Sequence, residues 1–238
     1  YKDKFFILDL NNNLICFSLK DGSKIWNFNT EKPFINPLKK LSIVIENNLV
    51  IFNNSLGDIT AVNIESGALE WQISTHNSDD LNEIISLKTS NLIIDENKIF
   101  FSNNKNVFYS LDLNTGNINW KQNISSSVKP AVIGDLLFTI SDNGYLFLID
   151  KNRGNIVRIN DIFKNFKPKV KKNLVPTGFI LDANNLYVST NFGKLLIVNI
   201  ENASTKEILK IGKGKLSRPF VKNQNLFLIK DNAIIKLN

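Results

Sequence analysis

The stretch GDITAVNIESGALEW, residues 57–71, holds a short apolar run from Ile59 to Ile64, a turn at Glu65-Ser66-Gly67, and a second run that carries Trp71. Short strands separated by Asn and Gly are the hairpin signal. A tight hairpin demands a positive φ that a residue with a Cβ resists, which accounts for Gly67. Just upstream, Leu49 to Phe52 form another run, and the turn from Asn53 to Gly57 links it to the first. Asn serves such turns because its side chain tolerates the left-handed region.

This unit recurs along nearly the whole chain, and a recurrence at a fixed period takes precedence over any single element. Its core is a polar or small residue, Gly four positions on, and Trp four positions after that. Ser18, Gly22 and Trp26 make the first copy, Asn63, Gly67 and Trp71 the second, and Asp112, Gly116 and Trp120 the third. A fourth copy keeps Asp150 and Gly154 but has Arg158 at the Trp position; a fifth is degenerate, with Asn199, Ala203 and Glu207. Six positions before the first residue of each copy stands Gly or Asn: Asn12, Gly57, Asn106, Gly144 and Gly193, with Asn232 as a sixth. Successive copies of the second position lie 45, 49, 38 and 49 residues apart, the length of a four-stranded propeller blade.

The reading that follows is all-β: a β-propeller of four-stranded antiparallel blades, about six of them, with the first and last incomplete. Strand-like runs number about 22, three in the first copy, four in each of the next four, and three in the last. The blades are expected at residues 1–30, 38–74, 88–125, 128–160, 174–212 and 216–238, within one domain. Two open sheet edges are uncomfortable in water. The expectation is therefore that two strands lie outside this stretch and close a six-bladed ring, or that the chain belongs to a larger propeller. The 17 Phe favour strands. The once-per-blade Trp is read as packing between neighbouring blades rather than stacking on a ligand.

The segments GDITAVNIESGALEW, NVFYSLDLNTGNINW and GYLFLIDKNRGN resemble the PQQ-like (quinoprotein-type) propeller repeat: a strand ending in Asp, a Thr-Gly-type turn, then a strand with Trp. The resemblance covers about residues 4–238, strongly in copies two to four. WD40 repeats fit less well, because their Trp-Asp dipeptide and Gly-His start are absent. Two kinds of relative are implied. Quinoprotein dehydrogenases hold PQQ and calcium and carry a vicinal cysteine pair beside the cofactor; this sequence has one cysteine, Cys16, and no such pair. The non-catalytic branch, the BamB-type lipoproteins of the outer membrane, implies a periplasmic scaffold for β-barrel protein assembly, with a protein partner, no cofactor and no turnover. A sensor ectodomain is the third alternative.

Side chains suited to chemistry are scarce. His76 is the single histidine and sits in a polar stretch without a nucleophile-elbow motif, so neither a Ser-His-Asp triad nor a histidine metal site is expected. Asp79 and Asp80 read as capping or solvated residues. No catalytic, cofactor or metal residue is therefore assigned. Two segments break the blade rhythm. Residues 76–91 read as a short helical connector or an innermost strand. Residues 161–175 read as a basic aromatic loop, with Lys164, Lys167, Lys169, Lys171 and Lys172 interleaved with Phe163 and Phe166. That loop is the first candidate for a partner surface, since long loops on a rigid scaffold tend to carry function. The net charge of +7 also fits a lysine-rich, AT-biased composition, and no nucleic-acid partner is expected. No apolar run reaches the roughly 20 residues of a membrane-spanning helix. A lipid anchor, on this reading, would lie outside the visible chain.

Overall fold

Strands whose two faces are both apolar must be covered on both sides, and the antiparallel sheets meet that demand by packing on their neighbours within each of two compact units. The computed structural model describes residues 1–33, 41–75, 88–103 and 105–237. It divides into two compact units, Tyr1–Lys121 and Gln122–Asn238.

The first unit opens with a three-stranded sheet of β1 (Lys4–Leu8), β2 (Asn13–Ser18) and β3 (Lys24–Asn29). A four-stranded sheet follows, built from β4 (Ile43–Glu46), β5 (Leu49–Asn53), β6 (Asp58–Asn63) and β7 (Leu69–Ser74). The third sheet holds β8 (Ile93–Asp95), β9 (Lys98–Ser102), β10 (Phe108–Asp112) and β11 (Ile118–Gln122). In the second unit the sheets are β12 (Ala131–Ile133), β13 (Leu136–Ile140), β14 (Tyr145–Asp150) and β15 (Ile156–Asp161), then β16 (Pro176–Leu181), β17 (Asn185–Thr190), β18 (Lys194–Asn199) and β19 (Thr205–Lys210). The last has three strands, β20 (Phe220–Lys222), β21 (Asn225–Lys230) and β22 (Ala233–Leu237). In every sheet the strands follow chain order as a meander, so each blade is one continuous piece of sequence. Among the described residues the strands number 22, in three-stranded sheets first and last and four-stranded sheets between, as the repeat predicts.

The period of two along a strand sends alternate side chains to opposite neighbours. From β5, Val50 and Phe52 join Leu14, Val62 and Ile64 toward the first sheet, while Leu49 and Ile51 join Ile99, Phe101 and Leu111 toward the third. The same split occurs in β18, where Leu196 and Val198 pack with Phe138, Leu146 and Phe179, and Leu195 packs with Leu216 and Leu228. Full burial of each such side chain contributes about 1.5–3 kcal/mol.

Two expectations are refined. The connector or strand expected over residues 76–91 lies outside the described residues as far as 87, and His76, Asp79 and Asp80 with it. The first strand of the third sheet is β8, preceded by an isolated bridge from Thr89 to Asn103. Residues 161–175 are not loop throughout. Pro168–Lys171 form a helical turn, α1, with Pro at its start, where the ring's fixed φ suits a first helical position and no N–H is missed.

Candidate functional site

The turn that leads into the last strand of each of the first four sheets has one construction. The N–H of the repeat's Gly bonds back to the carbonyl of the first repeat residue: Gly22 to Ser18 and Gly67 to Asn63, each 2.9 Å, Gly116 to Asp112, 3.0 Å, and Gly154 to Asp150, 2.8 Å. The side chain of that first residue caps the turn from the other side. Asp112 Oδ1 accepts from the N–H groups of Asn114 and Thr115 at 3.0 and 2.9 Å, and Asp150 Oδ1 from those of Asn152 and Arg153 at 2.8 and 2.9 Å. These backbone donors, Arg153 first, hold the Asp150 carboxyl below the usual carboxylate range. The four glycines have φ of +70 to +75°. A register shift two residues before the capping residue, at Ala61/Val62 and at Leu148/Ile149, makes room for the extra residue of a bulged hairpin.

Trp26 and Trp71 meet these turns in the next sheet. Trp26 Nε1 donates to the Ile64 carbonyl at 3.2 Å and Trp71 Nε1 to the Leu113 carbonyl at 3.1 Å. A Cβ on Gly67 would stand 2.7 Å from the Trp26 ring, and one on Gly116 would stand 2.6 Å from the Trp71 ring. The repeat's glycine therefore has a second duty beyond its φ, as the seat for the indole of the preceding sheet. Trp120 stacks on Phe108 with centroids 6.0 Å apart and leans on Phe100 at 5.9 Å. At the degenerate seam, Arg158 Nη1 donates to the Glu201 carbonyl in place of an indole, and the seat is Ala203, buried at φ +55°. The Cβ that an indole would exclude is present where the indole is absent.

The positions six before each copy all adopt positive φ: Asn12 +64°, Gly57 +95°, Asn106 +65°, Gly144 +82°, Gly193 +67° and Asn232 +64°. Each of the first five is preceded, three residues earlier, by a capping side chain that sequence reasoning missed. Asp9, Asn54 and Asn103 accept turn N–H groups, as do the hydroxyls of Ser141 and Thr190. The signal was present as a short polar residue at a fixed offset. It was obscured because Asp, Asn, Ser and Thr share the role.

The basic segment splits into a buried half and a presented half. Phe163 is fully buried, set over Gly144, where a Cβ would come within 2.0 Å of its ring. Its inclusion in a partner-facing loop is corrected: it anchors the segment from beneath. Phe166 meets it edge-on at 5.8 Å and is half-buried, with the Lys194 ammonium 5.6 Å from its centroid. Lys171 pairs with Asp161 and lies 5.7 Å from the Tyr145 ring, and the hydrogen bond it donates to the Asp161 carboxylate holds its ammonium above the ordinary lysine range. Lys164, Lys167, Lys169 and Lys172 are exposed.

Cys16 is fully buried, and that burial pushes its thiol up, away from a reactive thiolate. Among the described residues no three His, Cys, Asp or Glu side chains gather into a metal-binding set. No helix among the described residues is long and apolar enough to cross a membrane.

Comparison with known proteins bears on this construction directly. The family described as outer membrane protein assembly factor BamB matches residues 1–160. The chain belongs to the BamB family. The crystal structure of BamB from Moraxella catarrhalis superposes with a TM-score of 0.79 at 16% sequence identity, covering 98% of this chain and 69% of that one. At that identity the likeness shows the fold, and the six sheets are blades of a BamB-like β-propeller. No curated protein matches in sequence. The BamB-type repeat accounts for the Gly, Asn and Trp positions as turn and seam residues, leaving the basic segment as the candidate partner surface.

Proposed function

We propose that this chain is a non-catalytic protein-binding scaffold, a periplasmic component of outer-membrane β-barrel protein assembly held at the outer membrane. Membership of the BamB family carries the reading. The use of the repeat residues supports it: indoles and glycines are engaged at seams between sheets, which makes a rigid support for loops. The partner surface on this reading is the segment holding Lys164, Lys167, Lys169, Lys171 and Lys172, with Phe166 beside them and Phe163 as its buried anchor. Affinity purification of the chain from its own cell envelope tests it. The barrel-assembly machinery should co-purify, and removal of the chain should lower the amount of β-barrel proteins in the outer membrane. Titration with PQQ and calcium, followed by absorption, separates the dehydrogenase alternative: saturable binding would count against the scaffold.

A further inference from the structure

Charge is divided unevenly along the chain. Residues 122–238 hold 18 of the 29 Lys and Arg but 8 of the 22 Asp and Glu, a net +10, whereas residues 1–121 carry −3. A codon bias would spread lysine along the sequence and leave the acids alone, so composition does not account for the asymmetry.

Within Gln122–Asn238 the excess is gathered at one end of the sheets. In each sheet the turn between the second and third strands lies at the same end as the connection that leaves the fourth, and hydrogen bonds tie the two together. Asp142 N–H bonds to the Ser125 carbonyl, Ile162 to Gly144, Asn191 to Val175 and Ile211 to Gly193, all at 2.9–3.0 Å. Leu216 N–H reaches the Thr190 carbonyl at 3.1 Å and Ser217 N–H the Ile229 carbonyl at 2.9 Å, which continues the array to the last sheet. The turns and connections of this end, residues 123–130, 141–145, 161–175, 190–194, 211–219 and 229–232, contain eleven Lys and Arg against three Asp. At the opposite end, residues 133–136, 150–155, 182–185, 199–205 and 222–225 contain three basic and four acidic side chains.

The three acids at the basic end are already engaged. Asp161 pairs with Lys171, Asp231 with Lys230, and Asp142 accepts from the hydroxyls of Ser125 and Ser127 at 3.3 and 2.8 Å. Positive groups are crowded enough to act on one another, since burial and then the Arg218 guanidinium push the Lys129 ammonium down. We propose that this end of the second unit is a docking surface for an acidic, extended segment of the protein partner. The proposal rests on the scaffold reading and names the chemistry of what the scaffold holds.

Aromatic placement favours a polypeptide over the other polyanions. Single-stranded nucleic acid needs free ring faces for its bases. Here Tyr145 and Phe166 already have the ammonium groups of Lys171 and Lys194 near their rings. A membrane surface would call for a contiguous apolar protrusion. The exposed apolar groups of this end, Tyr145, Val175, Phe192 and Ile229, instead stand among lysines, as a chain alternating carboxylates with apolar side chains would require.

The test is fluorescence anisotropy of a short fluorescein-labelled oligo-glutamate peptide interspersed with leucine, titrated with the whole chain at low and at physiological salt. Binding should weaken as salt rises. The variant Lys164→Glu, Lys167→Glu, Lys169→Glu, Lys172→Glu, all exposed positions, should bind about tenfold or more weakly. The same four positions changed to Gln should give a smaller loss in the same direction, and Arg153→Glu with Lys222→Glu, at the opposite end, should leave binding unchanged. The proposal is overturned if the wild-type chain does not bind, if the opposite-end pair loses as much, or if phosphatidylglycerol vesicles or a single-stranded oligonucleotide bind more tightly than the peptide. A quadruple variant that loses the peptide yet still co-purifies with the barrel-assembly machinery overturns this surface and leaves the scaffold reading standing. Selective peptide binding by a chain that captures no machinery supports this surface and sinks that reading instead.

Discussion

A glycine that must be both left-handed and flat is a demanding position, and Gly67 and Gly116 are of this kind. Their φ of +70 and +71° already disfavours a Cβ, and the indoles of Trp26 and Trp71 occupy the space where one would go. Gly67→Ala should therefore destabilise the chain by about 2–4 kcal/mol, combining backbone strain with overpacking, as measured by urea unfolding. Gly22 supplies the contrast, since nothing lies within 4 Å of its Cβ position, and Gly22→Ala should cost only the strain share. The degenerate seam predicts coupling of the opposite sign. Ala203→Gly relieves a left-handed alanine and should raise stability by about 0.5–1 kcal/mol. Arg158→Trp should be tolerated better in the Ala203→Gly background than alone, which a double-mutant cycle would read as a nonzero interaction energy. The turn duty of these glycines was legible in their spacing. Their seating duty was not, because it depends on a side chain one repeat earlier that reaches across a seam no local pattern describes.

At the scale of the element, one capped hairpin is reused with different side chains, and its chemistry sets a pH response. Asp150 is held below the usual carboxylate range by the N–H groups of Arg153 and Asn152. A carboxyl depressed in the folded state contributes stability that is fully present above its unfolded value and is lost as pH falls through the folded one. Replacing Asp150 with Asn keeps an acceptor for the turn but removes the charge. The variant's stability should fall less steeply than wild type between about pH 4 and pH 2, and the two should be parallel near neutrality. This exposed site contributes one part of the acid response; Asp21 and Asp182 are also held low, by their own turn hydrogen bonds, the latter against burial that raises it. The basic segment shows where reading by element stops. Its lysines were visible in sequence and four of them are indeed exposed, but Phe163 belongs to the core and residues 168–171 to a helical turn. Alternating Lys and Phe look alike whether the rings point in or out, and only the gap left by Gly144 decides.

Across the whole molecule, burial is greatest in the middle strands and falls away at the end of the second unit. Strand β5 is buried throughout, whereas β20 is exposed throughout and Ile234 in β22 is 69% exposed. Amide hydrogen exchange should accordingly be slowest in β5, β6, β9 and β10 and fastest, among the strands, in β20 and β22; slow exchange in β22 would show that the last sheet is covered in solution by something outside these contacts. Fold class and strand order were legible because the repeat states them several times over, each copy checking the others. The charge division was equally present in the letters but invisible to a net value of +7, which sums a mildly acidic half and a strongly basic one.

The exchange of Trp and Gly for Arg and Ala at one seam bears on how such a chain could change its length. Duplication or loss of a repeat copies a strand bearing the donor together with the turn that receives the donor of its predecessor. A new copy of residues 63–112 placed beside the first would meet Gly against Trp and fit at once. One placed after β15 would bring a bare glycine against Arg158 and leave Ala203 facing an indole it has no room for. The ordinary seams are permissive ground for gain and loss of repeats, and the Arg158 seam is a fixed point that keeps the later sheets in their order.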